Sequence, residues 1–110
     1  MPLRDYELVL IISPEVSDND TQTVVERVSQ LASAAGGEVA GVEPWGRRRL
    51  AYPISRAREG SYVLMRLRLE PTAAPALERD LALIEEVIRH LLVRLDGAVT
   101  VTSETKGEQG

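Results

Sequence analysis

Arginine is the side chain of this sequence best suited to chemistry, and most of the arginines lie in one segment. Between Pro44 and Arg68 the chain carries seven arginines against one acid, Glu59, a formal charge of +6, whereas the remaining six bases and sixteen acids give −10. Guanidinium groups bind phosphate oxygens in bidentate fashion and stack on bases. The segment therefore predicts a local nucleic-acid-binding surface despite the net charge of −4. The alternative interpretation is that these arginines form the solvated outer face of a strand. Its arginines are Arg47, Arg48, Arg49, Arg56, Arg58, Arg66 and Arg68.

Other kinds of chemistry have little support in the sequence. The absence of cysteine removes disulfides, thiolate nucleophiles and zinc–thiolate sites, and a single histidine, His90, rules out a multi-histidine metal site within one chain. Glu86, four residues before His90, would form an acid–base pair with it on a helix but not on a strand, where we expect a surface histidine. The only asparagine, Asn19, has no glycine-rich loop beside it, which disfavours an acyl-phosphatase-like enzyme. We expect no catalysis, no cofactor and no small-molecule substrate.

Length and hydropathy limit the class of protein. A chain of 110 residues is long enough for one domain. No apolar run approaches the roughly 20 residues that span a bilayer, and the N-terminus lacks the layout of a secretory signal. We therefore expect a soluble, cytosolic protein without a membrane partner.

The first half of the chain predicts a strand, a helix and an edge strand. Tyr6 to Ile12 is apolar and β-branched on both faces, which is typical of a central strand. Ser17 is a good N-cap for a helix that ends at Gly36-Gly37. The strand that follows is interrupted at Gly41 and Pro44, and it resumes from Trp45 to Ile54. Pro53 indicates an edge position or a bulge.

The second half leaves one ambiguity. Ser55 to Gly60 predicts a polar loop, and Ser61 to Glu70 alternates as the second strand of a hairpin. Apolar residues then keep a helical period from Ala74 to Leu95, which favours one long helix, while the competing interpretation is a strand from residue 87. In that strand Val87, Leu91, Val93 and Leu95 would face inward. With the strand, the order becomes β-α-β-β-α-β, the ferredoxin-like split βαβ fold: a four-stranded antiparallel sheet with two helices on one face.

Four segments resemble one known family. The stretch Trp45 to Ile54, Trp-Gly-Arg-Arg-Arg-Leu-Ala-Tyr-Pro-Ile, closely resembles the most recognisable segment of the family of ribosomal protein six of the bacterial small subunit. The opening Arg4-x-Tyr6-Glu7, the third strand at 62–65 and Val-Ile-Arg at 87–89 are similar to that family in register, with Glu86 in place of its usual Asp. The resemblance covers about residues 3–96.

The resemblance implies both a fold and a role. It implies the ferredoxin-like fold and therefore the broken helix. It also implies a non-catalytic constituent of the small ribosomal subunit, in the cytoplasm, that binds the central domain of the small-subunit rRNA as a heterodimer with ribosomal protein eighteen during platform assembly. Residues 1–96 would form the rRNA-binding domain and 97–110 a polar, flexible tail. The alternative is a ferredoxin-like ligand-sensing or oligomerisation module without RNA affinity.

The resemblance also indicates which residues bind. Arg48 and Arg49 match the paired arginines of the family, whereas Arg47 lies where the family varies. Alternation along a strand should point Arg48 away from the other two unless Gly46 opens a bulge. For the aromatic residues of the set, core packing remains the alternative to an interface role. The predicted RNA-binding or partner-binding residues are Arg4, Tyr6, Trp45, Arg47, Arg48, Arg49, Tyr52 and Arg89.

Overall fold

The computed structural model describes residues 3–54 and 56–95. Its four strands form one antiparallel sheet in the order β2-β3-β1-β4, which confirms the predicted ferredoxin-like β-α-β-β-α-β arrangement and the edge position of β2. The predicted tail at 97–110 lies outside the described residues. The elements are β1 (Arg4–Ile12), α1 (Asp18–Ala34), β2 (Glu38–Ile54), β3 (Ala57–Leu69), a 3-10 turn (Pro71–Ala73), α2 (Ala74–Leu81) and β4 (Val87–Arg94).

The core lies between the two helices and one face of the sheet. Side chains alternate between faces along a strand, so every second residue of β1 and β3 points toward the helices. Both helices contribute apolar residues at helical spacing, including Val24 and Val28 of α1 and Leu77 and Leu81 of α2. The buried strand residues of this cluster are Tyr6, Leu8, Leu10, Ile12, Val63, Met65, Leu67, Leu69 and Leu92.

Helix α1 begins and ends where the sequence indicates. The Ser17 hydroxyl accepts a hydrogen bond from the Asp20 backbone N–H at 3.1 Å, and Asp18 and Asp20 lie in the first turn at the positive end of the helix dipole. After Ala34 the chain reverses through Gly36, whose φ of +87° favours glycine. This turn brings the chain directly into β2.

Strand β4 replaces the second half of the long helix that periodicity favours, and its inward-facing residues differ from the prediction. Leu92 is buried opposite Leu8. Leu91, opposite Val9, and Val93, opposite Glu7, lie instead on the face without helices. The cause is a bulge: Ile12 pairs with Val87 but Ile11 pairs with Arg89, so the pleat changes phase between them. Val87 still packs against the core, whereas Leu95 is 44% exposed. The inward orientation predicted for Leu91, Val93 and Leu95 was therefore wrong.

The bulge also changes the surroundings of His90. Its side chain is only 18% exposed, and Nε2 lies 3.6 Å from Oε1 of Glu78 on α2. The expected surface histidine is therefore only partly exposed, because His90 lies on the helix side of the sheet. Glu86 instead contacts Arg27 of α1 at 3.4 Å, so it forms no acid–base pair with His90.

Strand β2 is one long, irregular strand rather than two short ones. Its register with β3 shifts between Val39 and Gly41, between Pro44 and Gly46, and again after Arg49. The predicted polar loop at 55–60 is mostly strand, since β3 already begins at Ala57. The bulges bend this edge strand and its hairpin, and this bending positions the candidate site.

Candidate nucleic-acid interface

Both helices cover one face of the sheet, and the arginines of β3 lie on the other, the open face. On this face Arg66 Nε is 4.0 Å from Glu7 Oε2, and Arg68 Nε is 3.4 Å from Asp5 Oδ1. These exposed cross-strand pairs contribute little stability, but they neutralise two of the seven arginines of the basic segment. The remaining five lie toward the tip of the β2–β3 hairpin.

The three consecutive arginines of β2 do not share one face. Arg47 lies opposite Ser61, and its guanidinium donates a hydrogen bond to the Pro14 carbonyl at 3.0 Å. Arg48 lies opposite Gly60, on the open face of the sheet. Arg47 and Arg48 therefore point to opposite sides, as alternation along a strand requires, and the bulge at Gly46 precedes them without changing this.

A bulge brings an aromatic pair under Arg48. Pro44 pairs with Val63 and Gly46 with Tyr62, which leaves Trp45 as the extra residue, and the φ of +85° at Gly46 favours glycine. The Trp45 ring stacks on Tyr62 with centroids 6.4 Å apart and planes at 13°. The Arg48 guanidinium lies 5.7 Å from the Trp45 ring centroid, in a cation–π contact. In this contact a ring, rather than a carboxylate, holds Arg48 in place.

The tip of β2 reaches the far edge of the sheet. Between the Arg49–Glu59 and Ile54–Ala57 pairs, β2 has four residues where β3 has one. Tyr52, in this stretch, accepts a hydrogen bond from Arg89 Nη1 at 3.5 Å, and the Arg89 guanidinium lies 5.9 Å from its ring. Since Arg89 belongs to β4, residues 50–53 extend across the open face.

Two arginines line a hollow beside this stretch. The hollow has a volume of about 290 Å³, and Arg49 and Arg58 line it together with residues 50–53. Arg58 was not among the predicted binding residues, and neither was Tyr62. Arg58 and Tyr62 belong to the site because of how β2 pairs with β3, which the sequence alone does not show. For Arg58, the only signal in the sequence was the high density of arginines between residues 47 and 58.

Six of the eight predicted residues cluster at this end of the molecule, and two do not. Arg4 is exposed but lies opposite Leu69, at the other end of β1. Tyr6 is 4% exposed and belongs to the core cluster, so core packing is the correct interpretation for it and its assignment to a binding surface was wrong. Trp45 and Tyr52 are 40% and 42% exposed, as an interface role requires.

Two further properties concern the described residues as a whole. Within residues 3–54 and 56–95, no group of three or more His, Cys, Asp or Glu side chains could hold a metal ion. In the same part of the chain, no helix is long and apolar enough to cross a membrane.

Comparison with known proteins assigns the chain to a family. The sequence model of ribosomal protein S6 matches residues 5–94. The small ribosomal subunit protein bS6 of Moorella thermoacetica is 42% identical over 94 residues, covering 86% of this chain and 96% of the relative, and that of Dictyoglomus turgidum is 40% identical over 94 residues, covering 86% and 97%. The crystal structure of 30S ribosomal protein S6 from Thermotoga maritima has a TM-score of 0.78 at 31% identity, covering 84% of this chain and 87% of that one. The chain therefore belongs to the ribosomal protein S6 family, whose members are structural, non-enzymatic proteins of the small ribosomal subunit.

Proposed function

We propose that the chain binds the central domain of the small-subunit rRNA, as a heterodimer with ribosomal protein eighteen, during assembly of the platform. The RNA-binding surface is the hairpin surface, which we define as Trp45, Arg48, Arg49, Tyr52, Arg58 and Arg89. The observation that carries the proposal is the cation–π contact at 5.7 Å that holds Arg48 over Trp45 on an exposed face. An arginine fixed in this way keeps its charge for a phosphate group.

The chemistry of the hairpin surface fits RNA. Arg49 and Arg58 line one hollow, so two guanidinium groups are available to one stretch of phosphate backbone. The half-exposed ring of Tyr52 lies beside Arg89, and such a combination binds an unpaired base by stacking. Phosphate contacts would supply affinity, and Tyr52 would favour unpaired or distorted RNA.

The small size of the surface supports a role for a second protein. The hairpin surface can neutralise about two to four phosphates, and each such interaction makes affinity fall with rising salt. The chain alone should therefore bind weakly at physiological salt. A partner that binds both this chain and the RNA would convert two weak interactions into one stable assembly.

The proposal is tested by fluorescence anisotropy on a labelled fragment of central-domain rRNA, with and without ribosomal protein eighteen, across a salt series. We expect weak binding by the chain alone and tight, salt-dependent binding by the two proteins together. Arg48→Gln should weaken binding and lower the slope of log affinity against log salt by about one. Arg79→Gln removes the same charge from an exposed position on α2, behind the sheet, and should change neither quantity. Absence of RNA binding in both mixtures would refute the proposal.

A further inference from the structure

Strand β4 forms an edge of the sheet that is well suited to pairing with another strand. Among the described residues β4 pairs with β1 alone, and from Arg89 to Arg94 this pairing is regular. Its eight residues, Val-Ile-Arg-His-Leu-Leu-Val-Arg, include no proline or glycine. Strand β2, at the opposite edge, instead carries Pro44, Pro53 and several bulges, which discourage strand addition. An additional strand would therefore pair at β4.

The hydrogen bonds of β4 show which of its amides point outward. The Leu95 N–H donates to the Asp5 carbonyl at 2.8 Å, so residue 95 points toward β1. In an antiparallel ladder the N–H and C=O of one residue point to the same side, and this side alternates along the strand. Every second residue before Leu95 therefore also points toward β1, whereas the N–H groups of Leu92 and His90 point outward. An added strand would accept hydrogen bonds from these two amides.

The segment that follows β4 has the sequence of such a strand. Its residues at 98–103, which lie outside the part that the structure describes, are Ala-Val-Thr-Val-Thr-Ser. Valine and threonine are both β-branched, and their alternation is typical of a strand with one apolar face. The two residues before this segment are Asp96 and Gly97. An Asp-Gly pair between apolar alternating segments is a strong signal of a β-hairpin.

The hydrogen bond of Leu95 selects the length of the hairpin loop. A two-residue Asp-Gly loop would need the Leu95 N–H to point outward, but this group is bonded to Asp5. A three-residue loop over 95–97 avoids the conflict, because Arg94 then becomes the last paired residue before the loop. It also puts Gly97 at the loop position that requires a positive φ, which glycine adopts readily.

This loop brings apolar side chains together. If Arg94 pairs with residue 98, Val99 lies opposite Val93 and Val101 lies opposite Leu91. Val93 and Leu91 are partly buried on the open face of the sheet. Opposed side chains of antiparallel strands share a face, so the two valines would extend this apolar strip. The threonines between them would lie on the helix side, where a groove of about 420 Å³ between α2 and β4 leaves room for small side chains.

We propose that residues 98–103 of this chain pair with β4 as a fifth strand of the sheet, through a three-residue loop at 95–97. For these residues the fifth strand replaces the expected flexible tail. It goes beyond the proposed function and is independent of it, since it involves neither RNA nor ribosomal protein eighteen. Its effect would be to close the regular edge of β4 to strands of other chains.

Amide hydrogen exchange of the full chain, followed residue by residue by NMR, tests the fifth strand. Leu92 and His90 should exchange at least about tenfold more slowly than unprotected amides, because their N–H groups donate to the added strand. Val93 is the internal reference, since its N–H points toward β1 with or without that strand. Exchange of Leu92 and His90 at the rate of unprotected amides would overturn the proposal.

A substitution in the segment shows whether it is the partner of β4. Val101→Asp places a carboxylate opposite Leu91 and should speed exchange at Leu92 and His90 about tenfold or more, while Val93 stays unchanged. Thr105→Asp replaces a β-branched residue by aspartate beyond the paired segment, and it should leave these rates within about twofold. Unchanged protection in Val101→Asp would also overturn the proposal.

A glycine pair tests the loop. Gly97→Ala introduces a Cβ at the position with positive φ and should speed exchange at Leu92 several-fold. Gly107→Ala makes the same change outside the loop and should have no effect. Equal rates in the two variants would contradict the three-residue loop.

A second copy of the chain is the competing partner for this edge. Protection of Leu92 and His90 that rises with protein concentration, together with a dimer in sedimentation experiments, would identify that partner and overturn the proposal. Protection that is independent of concentration, in a monomer, is the result expected of a strand from the same chain.

Discussion

The arginines of the basic segment differ in what holds them. Arg66 and Arg68 lie against acids across the strand, at 4.0 and 3.4 Å, and such pairing satisfies their charge within the protein. Arg48 lies against the Trp45 ring instead, and Arg89 against Tyr52. The Trp45 ring restricts the Arg48 guanidinium to one region of space while leaving its N–H groups able to donate to phosphate. Arginine thus has two uses within this sheet: Arg66 and Arg68 form ion pairs with acids of the protein, whereas Arg48 stays available to phosphate.

The first prediction concerns the coupling between Trp45 and Arg48. Trp45→Leu removes the ring face but keeps an apolar side chain, so Arg48 should lose its fixed position at a cost of about 0.5–1 kcal/mol, a few-fold in RNA affinity. Anisotropy on the single and double variants measures the coupling. The double variant Trp45→Leu/Arg48→Gln should bind no worse than Arg48→Gln alone, since the ring acts through the arginine. Additive losses would mean instead that Trp45 contacts the RNA directly.

At the scale of elements, the connection from α1 to β2 depends on a second glycine, Gly37, beside Gly36. A Cβ added at Gly37 would overlap the Leu69 side chain and lie 2.6 Å from the Arg68 carbonyl oxygen. Gly41, only four residues along, has no heavy atom within 4 Å of the same position. Since a backbone carbonyl cannot move aside cheaply, close approach of α1 and β3 requires the absence of a side chain at residue 37.

We therefore predict that Gly37→Ala destabilises the fold by about 1–3 kcal/mol, through displacement of the α1–β2 turn from β3. Gly41→Ala is the matched control, because it makes the same change to the unfolded chain without the overlap, and it should stay within about 0.5 kcal/mol. Urea denaturation of both variants measures the difference. Equal midpoints would show that the turn can rearrange around a methyl group.

The elements that sequence reasoning placed correctly are those whose signals are local. The apolar run of β1, the Ser17 cap and the alternation of β3 each lie within about ten consecutive residues. The inward face of β4 could not be predicted, because the bulge opposite Ile11 and Ile12 exists only in the pairing of two strands. Periodicity alone even favoured a helix there, and only the family resemblance favoured a strand.

The same distinction applies to the candidate site. Arg48 and Trp45 were predicted from a contiguous motif, and both lie in the site. Arg58 and Tyr62 were missed, since they reach it only through the register of β3 against β2. Tyr6 was misplaced because a tyrosine near the start of a strand is equally suited to a core edge and to an interface.

At the scale of the whole molecule, charge is separated between the two sides of the sheet. The chain is a member of a family of the small ribosomal subunit, located in the bacterial cytoplasm, and its net charge of −4 by itself disfavours contact with RNA. The acids of α1 lie on the helix side of the sheet. Arg48 lies on the open side, and Arg58 lies near the tip of the β2–β3 hairpin. A local potential of this kind can steer RNA to the hairpin surface despite the negative net charge.

Local charge and net charge lead to different predictions for RNA binding. Arg49→Gln/Arg58→Gln and Arg27→Gln/Arg79→Gln each make the net charge more negative by two, but only the first pair lies in the hairpin surface. With ribosomal protein eighteen present, the first variant should lower the slope of log affinity against log salt by about two, because each of the two arginines neutralises one phosphate, and the second should leave it unchanged. The exposed Arg27–Glu86 pair contributes little stability, so the second variant should remain folded. Equal slopes for the two variants would mean that the whole-molecule charge, and not the hairpin surface, controls the association.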